Sequence, residues 1–237
     1  MHGSVASDCP HRERSAYTGD GQVVCDMVME TYDVRAFYNK WLADIREAQN
    51  PETGYVPNGA PWQPGCGGGP AWGAAINIMS WSYYQHYGDK ELLTESYPQM
   101  LAQLKFMSQY VDQDGVMYMK DASEWKMLGD WCAPTKLPAA DMVHSYFYWL
   151  CNTLTAKAAD ALGKTDDARQ LEAEAEHTRQ GFMKRFWNEE TGSYGPYGGN
   201  VFALSMGVDK ERLGQVRKAL RQVIEEADGH LDTGIFG

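Results

Sequence analysis

The sequence predicts an all-helical domain built from antiparallel helix–helix hairpins. Apolar residues recur at the helical spacings of three and four, and nearly all-apolar segments alternate with amphipathic ones. Short and long connections alternate in step with these segments. An all-apolar helix is buried on every side, whereas an amphipathic helix faces solvent on one side, so the alternation indicates an inner and an outer layer.

The outer helices show the clearest periodicity. One apolar stripe follows a regular helical spacing, with charged residues opposite, and its members are Leu93, Tyr97, Met100, Leu104, Met107 and Val111. Similar stripes occur within residues 34–45, 168–186 and 213–223. We predict that these four segments form the outer layer.

Each outer helix is preceded by a segment of inner type. The longest are residues 70–87 and 142–154, which are apolar or aromatic on nearly every side, and shorter ones span 23–32 and 201–206. The turn from an inner to an outer helix is short and carries stop and start signals, as in Gly88-Asp89-Lys90.

The returning connections are long and are predicted to form one functional rim. They cover roughly residues 49–69, 112–137 and 188–199, and in a ring of antiparallel hairpins they all emerge at one end. Such loops tend to carry function on a rigid scaffold. A two-layered α/α barrel fits this order, and an open helical solenoid is the alternative.

The composition excludes several classes of partner. The formal net charge of −11 disfavours nucleic acid and anionic membrane surfaces, because both attract a basic face. The sequence has no apolar stretch long enough to span a membrane. Its glycine run lacks the phosphate-loop pattern, and its His, Asp and Glu residues lack metal-ligand spacing. We therefore predict no cofactor, no metal, no nucleic acid and no membrane partner.

The densest cluster of polar residues lies at the start of the chain. It combines three carboxylates, two arginines and an aromatic ahead of the first inner helix. Its candidate site residues are Asp8, Arg12, Glu13, Tyr17 and Asp20. The alternative is a capped helix start with solvated charges, in which Asp20 is the N-cap.

Three further clusters contain candidate site residues. Trp72 follows a glycine run and a proline at the start of an inner helix, and core packing is the alternative for its indole. Asp130 and Trp131 end a stretch with two tryptophans and two carboxylates, for which a solvated turn is the alternative. Aromatic planes beside carboxylates suit the C–H faces and hydroxyls of a pyranose. His230 is the weakest candidate.

Together these segments resemble the catalytic domain of bacterial α-L-rhamnosidases, glycoside hydrolase family 78 of the six-hairpin glycosidases. The matching pieces are DCPHRER…YTGD at 8–20, GPAWG at 69–73, GDW at 129–131 and HLDTG at 230–234. The resemblance implies an (α/α)6 toroid and an inverting hydrolase that removes terminal α-L-rhamnose from oligosaccharides or glycosides. It implies a single domain over residues 1–237 that holds about four of the six hairpins.

The resemblance also implies a role for each candidate residue. Glu13 matches the general acid, which must be protonated near neutral pH in order to donate to the glycosidic oxygen. The others match substrate-binding positions. The positions that bind hydroxyl groups are Asp8, Arg12 and Asp20, and those that form walls of the pocket are Tyr17, Trp72 and Trp131. Asp130 matches a polar contact at the rim, and His230 matches a further contact.

Three departures from the family pattern bear on activity. Ala74 stands where the family often has an aspartate, and Ser15-Ala16 replace its Leu-Gly. The Trp-Glu motif that supplies the water-activating base in the family does not follow HLDTG within these 237 residues. An inverting hydrolase needs that second carboxylate. The resemblance therefore implies a truncated catalytic domain that is inactive by itself.

Two alternatives to the rhamnosidase interpretation remain at this stage. One is another six-hairpin enzyme, such as a glucuronyl hydrolase or a trehalase-like hydrolase, with different acid motifs. The other is a non-catalytic carbohydrate-binding or helical scaffold protein, which Ala74 and the absent base favour.

Overall fold

Helices account for the regular structure of this protein. The structure is a computed structural model that describes residues 11–12, 14–62, 69–118, 128–195, 197–230 and 233–236. Within these residues it contains isolated β-bridges but no strands. The helices are α1 (Thr18–Thr31), α2 (Arg35–Ala48), α3 (Pro70–Gly73), α4 (Ala75–Tyr87), α5 (Lys90–Ser108), α6 (Ala140–Ala161), α7 (Thr165–Arg185), α8 (Tyr197–Met206) and α9 (Lys210–Glu226). The predicted all-α class is confirmed.

Inner helices α4 and α6 form the centre of the fold. Helix α6 packs along outer helix α7 and also contacts α3, α4, α5 and α8. A buried amide connects three of these helices, because Asn77 Nδ2 of α4 donates to Met100 O of α5 (3.2 Å) and to Thr155 Oγ1 of α6 (2.9 Å). The two layers are therefore joined by a buried polar contact as well as by apolar packing.

Short turns connect inner helices to outer ones, as the sequence predicts. Gly88 ends α4 in the left-handed conformation (φ 65°), which glycine adopts without steric cost. Asp89 then caps α5 by accepting a hydrogen bond from Leu92 N at 3.0 Å.

Helix α1 departs from its predicted burial. It was expected to be an inner helix buried on nearly every side, yet Val23, Val24 and Met27 are between 39% and 56% exposed. Helix α1 packs mainly on α3 and α4, which cover the face that carries Cys25 and Met29. No described helix covers its opposite face.

The first two long loops meet at the helix starts. Ala60 N donates to Ala16 O at 3.0 Å, just before α1 begins. A Cβ built on Gly69, just before α3, would lie 2.3 Å from Leu128 O in the second loop. The described parts of both loops thus lie at one end of the molecule. No described helix is long and apolar enough to cross a membrane.

Candidate active site

Trp72 lies at the centre of the candidate site, and α1 fixes its position. Thr18 Oγ1 donates to Trp72 O at 3.0 Å, and Gln22 Nε2 donates to Ala71 O at 2.6 Å. Gly19 borders the indole so closely that a Cβ there would lie 2.5 Å from Trp72 Cδ1. The start of α1, which follows the predicted general acid in the sequence, therefore contacts both the backbone carbonyl and the indole ring of Trp72.

Two phenylalanines also border the site. The ring of Phe236 meets the Trp72 ring edge to face, with centroids 5.0 Å apart, and meets the Phe147 ring of α6 at 4.8 Å. Trp72 is consequently only 4% exposed. Its surroundings in the structure are those of a core residue, and its role as a sugar wall remains a prediction.

Asp130 lies beneath the segment 233–236. Its Oδ1 accepts hydrogen bonds from Trp131 N (2.8 Å) and Phe236 N (3.2 Å). A Cβ on Gly234 would lie 2.2 Å from the Asp130 carboxyl carbon, so only glycine fits there. Asp130 is only 2% exposed, and its role as a polar contact at the rim remains a prediction. The segment 233–236 covers it.

The two oxygens of the Asp130 carboxyl group differ in their hydrogen bonding. Its Oδ2 is buried and has no hydrogen-bond partner among the described residues. Burial raises the pKa of Asp130, even though the backbone N–H groups of Trp131, Phe236, Ile235 and Gly234 all act in the opposite direction. Carboxyl groups with a pKa raised by burial are frequent at functional sites.

Trp131 is the exposed aromatic residue of the site. Its side chain is 52% exposed, while its backbone is held because Ile235 N donates to Trp131 O at 3.0 Å. The segment 233–236 therefore contacts Trp72, Asp130 and Trp131. The structure thus brings these three candidate residues together, and an exposed indole on a fixed backbone suits stacking against a sugar.

The remaining described candidates lie on and before α1, and at the end of α9. Tyr17 is half-buried at the N-cap position and forms a β-bridge with Gly59. Asp20 is half-buried in the first turn of α1, so it is not the N-cap, and its charge is favoured there by the helix dipole. Arg12 is exposed. His230 is also exposed, and its backbone N donates to Ala227 O at 3.0 Å.

Two candidates, Asp8 and Glu13, lie outside the described residues. Arg14, directly after Glu13, has a left-handed backbone (φ 57°). This conformation is uncommon for a residue with a Cβ and clusters at functional sites. In the described part of the chain, no three His, Cys, Asp or Glu side chains are grouped so that they could hold a metal ion.

A pH-dependent change in stability is expected for Asp130→Asn. Because the folded pKa of Asp130 is raised, the unfolded state ionises first as the pH rises above about 4, and the wild type loses stability there. The asparagine variant has no such loss. Its free energy of unfolding relative to wild type should therefore increase from pH 4 towards pH 8, as measured by urea unfolding followed by tryptophan fluorescence.

Asp112 provides a control, because its variant is expected to show the opposite dependence of stability on pH. Burial opposes its ionised form, but hydrogen bonds from Arg185 and from the amides of Val116 and Asp114 lower its pKa overall. Asp112→Asn should lose relative stability as the pH rises, because it lacks a carboxylate that the fold stabilises. Equal pH slopes for the two variants would contradict the assignment of Asp130.

The whole chain matches one protein family. The family model of the bacterial alpha-L-rhamnosidase 6 hairpin glycosidase domain matches residues 2–237. The chain belongs to the bacterial α-L-rhamnosidase six-hairpin glycosidase family. The resemblance seen in the sequence motifs is thereby confirmed, and so is the six-hairpin fold class.

Curated members of the rhamnosidase family are similar over the whole chain. An α-L-rhamnosidase of Streptomyces avermitilis is 31% identical over 99% of this chain, and one of Formosa agariphila is 29% identical over 100%. The matched regions make up 22% and 27% of those two proteins. The chain thus spans about a quarter of the length of these relatives.

Solved rhamnosidase structures share the fold. The Streptomyces avermitilis α-L-rhamnosidase complexed with L-rhamnose aligns with 98% of this chain at a TM-score of 0.88 and 28% identity, covering 22% of that protein. The α-L-rhamnosidase of Dictyoglumus thermophilum aligns with 98% at a TM-score of 0.85 and 28% identity, covering 27%. The helices described above therefore have the arrangement found in this family.

Proposed function

We propose that this chain belongs to a glycoside hydrolase that removes terminal α-L-rhamnose from oligosaccharides or glycosides. The observation that carries the proposal is the family match over residues 2–237. The meeting of Trp72, Asp130 and Trp131 supports it, since an exposed indole and a buried carboxyl group lie at the helix starts where the loops converge.

The proposed reaction is inverting hydrolysis with Glu13 as general acid. Glu13 protonates the glycosidic oxygen while a second carboxylate activates water on the opposite face of the sugar. Asp8, Arg12 and Asp20 bind hydroxyl groups, and Tyr17, with its backbone fixed next to Gly59, forms a wall. The activating carboxylate is proposed to come from outside these 237 residues.

We further propose that residues 1–237 are a single domain with four of the six hairpins. The four pairs are α1/α2, α4/α5, α6/α7 and α8/α9. The exposed apolar face of α1, formed by Val23, Val24 and Met27, supports this proposal. In a closed ring, inner helices of the two remaining hairpins would bury that face and remove its apolar area from water.

The proposal is tested with the full-length protein that carries this chain and a panel of aryl glycosides. We expect hydrolysis of the α-L-rhamnoside, with β-L-rhamnose as the first product by NMR, and no hydrolysis of the glucuronide or of trehalose. The chain alone should show no turnover if the water-activating carboxylate comes from outside it, as proposed. Cleavage of the glucuronide or trehalose instead would indicate another six-hairpin enzyme.

An inactive full-length protein that still binds sugars would indicate the non-catalytic alternative. Titration calorimetry with L-rhamnose measures the binding, and a cooperative unfolding transition shows that the inactive protein is folded. Turnover by the chain alone at a rate near that of the full-length protein would contradict the proposed source of the activating carboxylate.

A further inference from the structure

A buried histidine of α6 connects the two loops of the candidate site. His144 is fully buried, and its Nε2 lies 3.1 Å from Leu128 O, two residues before Asp130. A Cβ built on Gly69, three residues before Trp72, would lie 3.1 Å from the same Nε2 and 2.3 Å from Leu128 O. Three separate segments therefore meet at one imidazole nitrogen.

The hydrogen bond determines the form of the imidazole. A carbonyl oxygen only accepts, so Nε2 carries the hydrogen and donates it to Leu128 O, which leaves Nδ1 as an acceptor. That Nδ1 is buried and has no partner among the described residues. Burial also lowers the pKa of His144, which keeps the imidazole neutral near pH 7.

Apolar packing does not account for this arrangement. A buried acceptor without a partner costs free energy, and an apolar side chain of similar size would fill the same space without that cost. The feature that an apolar residue would lack is the donor to Leu128 O. Ser145, the next residue of α6, also forms a hydrogen bond with the loop 112–137, because its Oγ accepts from Met117 N at 3.0 Å.

We infer that His144 is a positioning residue for the candidate sugar site, where its Nε2–H holds the Leu128–Trp131 segment against Gly69 and thereby sets Trp131 and Asp130 relative to Trp72. This inference rests on the proposed function for the identity of the sugar. The contact between the loops is a property of the fold and does not depend on it.

The test compares His144→Gln with His144→Leu in the full-length protein. The glutamine amide keeps a donor close to the position of Nε2, whereas leucine leaves Leu128 O without its donor. With an aryl α-L-rhamnoside we expect His144→Leu to raise KM about tenfold or more, with kcat within about twofold, since small displacements of binding groups are costly. His144→Gln should remain within about threefold of wild type in KM.

The matched control is Asn152→Leu, which also replaces a buried polar residue of α6. Asn152 Nδ2 donates to Tyr148 O within the same helix (3.0 Å), and no hydrogen bond joins its side chain to the described parts of either loop. This variant should lose stability and leave KM unchanged. Equal increases in KM for His144→Gln and His144→Leu, or an equal increase for Asn152→Leu, would overturn the inference.

A second measurement does not require catalysis. The protein is labelled with 5-fluorotryptophan, and the ¹⁹F resonance of Trp131 is assigned by its loss in Trp131→Phe. We expect this resonance to shift or broaden in His144→Leu and to keep its position in His144→Gln and Asn152→Leu. An unchanged resonance in His144→Leu refutes the positioning role. If the wild type does not act on rhamnosides, only the proposed function fails.

Discussion

Glu13→Gln in the full-length protein is expected to lower kcat by roughly 10²–10⁴-fold for an α-L-rhamnoside with a poor leaving group, the usual range for general acid catalysis. The amide keeps the shape of the carboxyl group but cannot transfer a proton to the glycosidic oxygen. The affinity for L-rhamnose should change little, because most hydrogen bonding is retained. Steady-state kinetics and titration calorimetry measure the two quantities separately.

The identity of the leaving group distinguishes an acid from a binding residue. Dinitrophenolate departs without a proton, so the loss in Glu13→Gln should shrink with that substrate. Asp8→Asn is the control, since a residue that binds a hydroxyl group should weaken binding for both leaving groups alike. Equal losses for good and poor leaving groups in Glu13→Gln would remove Glu13 from the acid role.

The surroundings of Glu13 decide whether it can be protonated near neutral pH. In the proposed site, the negative charges of Asp8 and Asp20 would favour the protonated form of Glu13, whereas the positive charges of Arg12 and Arg14 would favour its ionised form. Asp20 occupies the first turn of α1, where the helix dipole stabilises its charge. The acid role therefore requires that the two guanidinium groups pair mainly with the aspartates.

The helices could be predicted from the sequence because their pattern is local. The inner segment predicted at 142–154 lies within α6, and the segment at 201–206 lies within α8. The predicted helix 70–87 is instead divided into α3 and α4 at Ala74. The preceding Gly73 packs tightly, since a Cβ there would lie 2.6 Å from Gln103 Nε2. That constraint arises between helices and leaves no periodic signal.

The burial of individual side chains was harder to predict. The apolar residues of α1 predicted burial on all sides, but burial depends on which helices cover each face, and the face with Val23 and Met27 is exposed. The burial of Asp130 depends on a distant segment, since the backbone of 233–236 folds over it. Neither outcome follows from a pattern within a single segment.

The residues of the site also divide into those that the sequence identified and those that it missed. Motifs located Trp72, Asp130 and Trp131 in the sequence, and the structure brings them together through the segment 233–236. Phe236 and His144 were missed, because their importance lies in contacts with distant segments. The available signal for His144 was its place as a polar residue within a nearly all-apolar inner helix.

Trp72→Ala and Trp41→Ala are both expected to lose about 3–5 kcal/mol of stability, because each deletes a buried indole from a packed core. Trp72 and Trp41 are 4% and 1% exposed and lie in different apolar clusters. Trp41 packs against α1 and donates from Nε1 to Ala60 O at 2.9 Å. Urea unfolding measures both losses, and their similarity makes Trp41→Ala a suitable control.

The affinity for L-rhamnose should separate the two tryptophans. If Trp72 is a wall of the sugar pocket, Trp72→Ala also loses the stacking of its ring on the sugar, worth about 0.5–1.5 kcal/mol for such contacts or up to roughly tenfold in Kd. Titration calorimetry on the full-length protein, at a temperature where both variants remain folded, should therefore show a weaker Kd for Trp72→Ala than for Trp41→Ala. The same Kd in both variants would show that Trp72 serves the core alone, with Tyr17 and the exposed Trp131 left as the proposed aromatic walls.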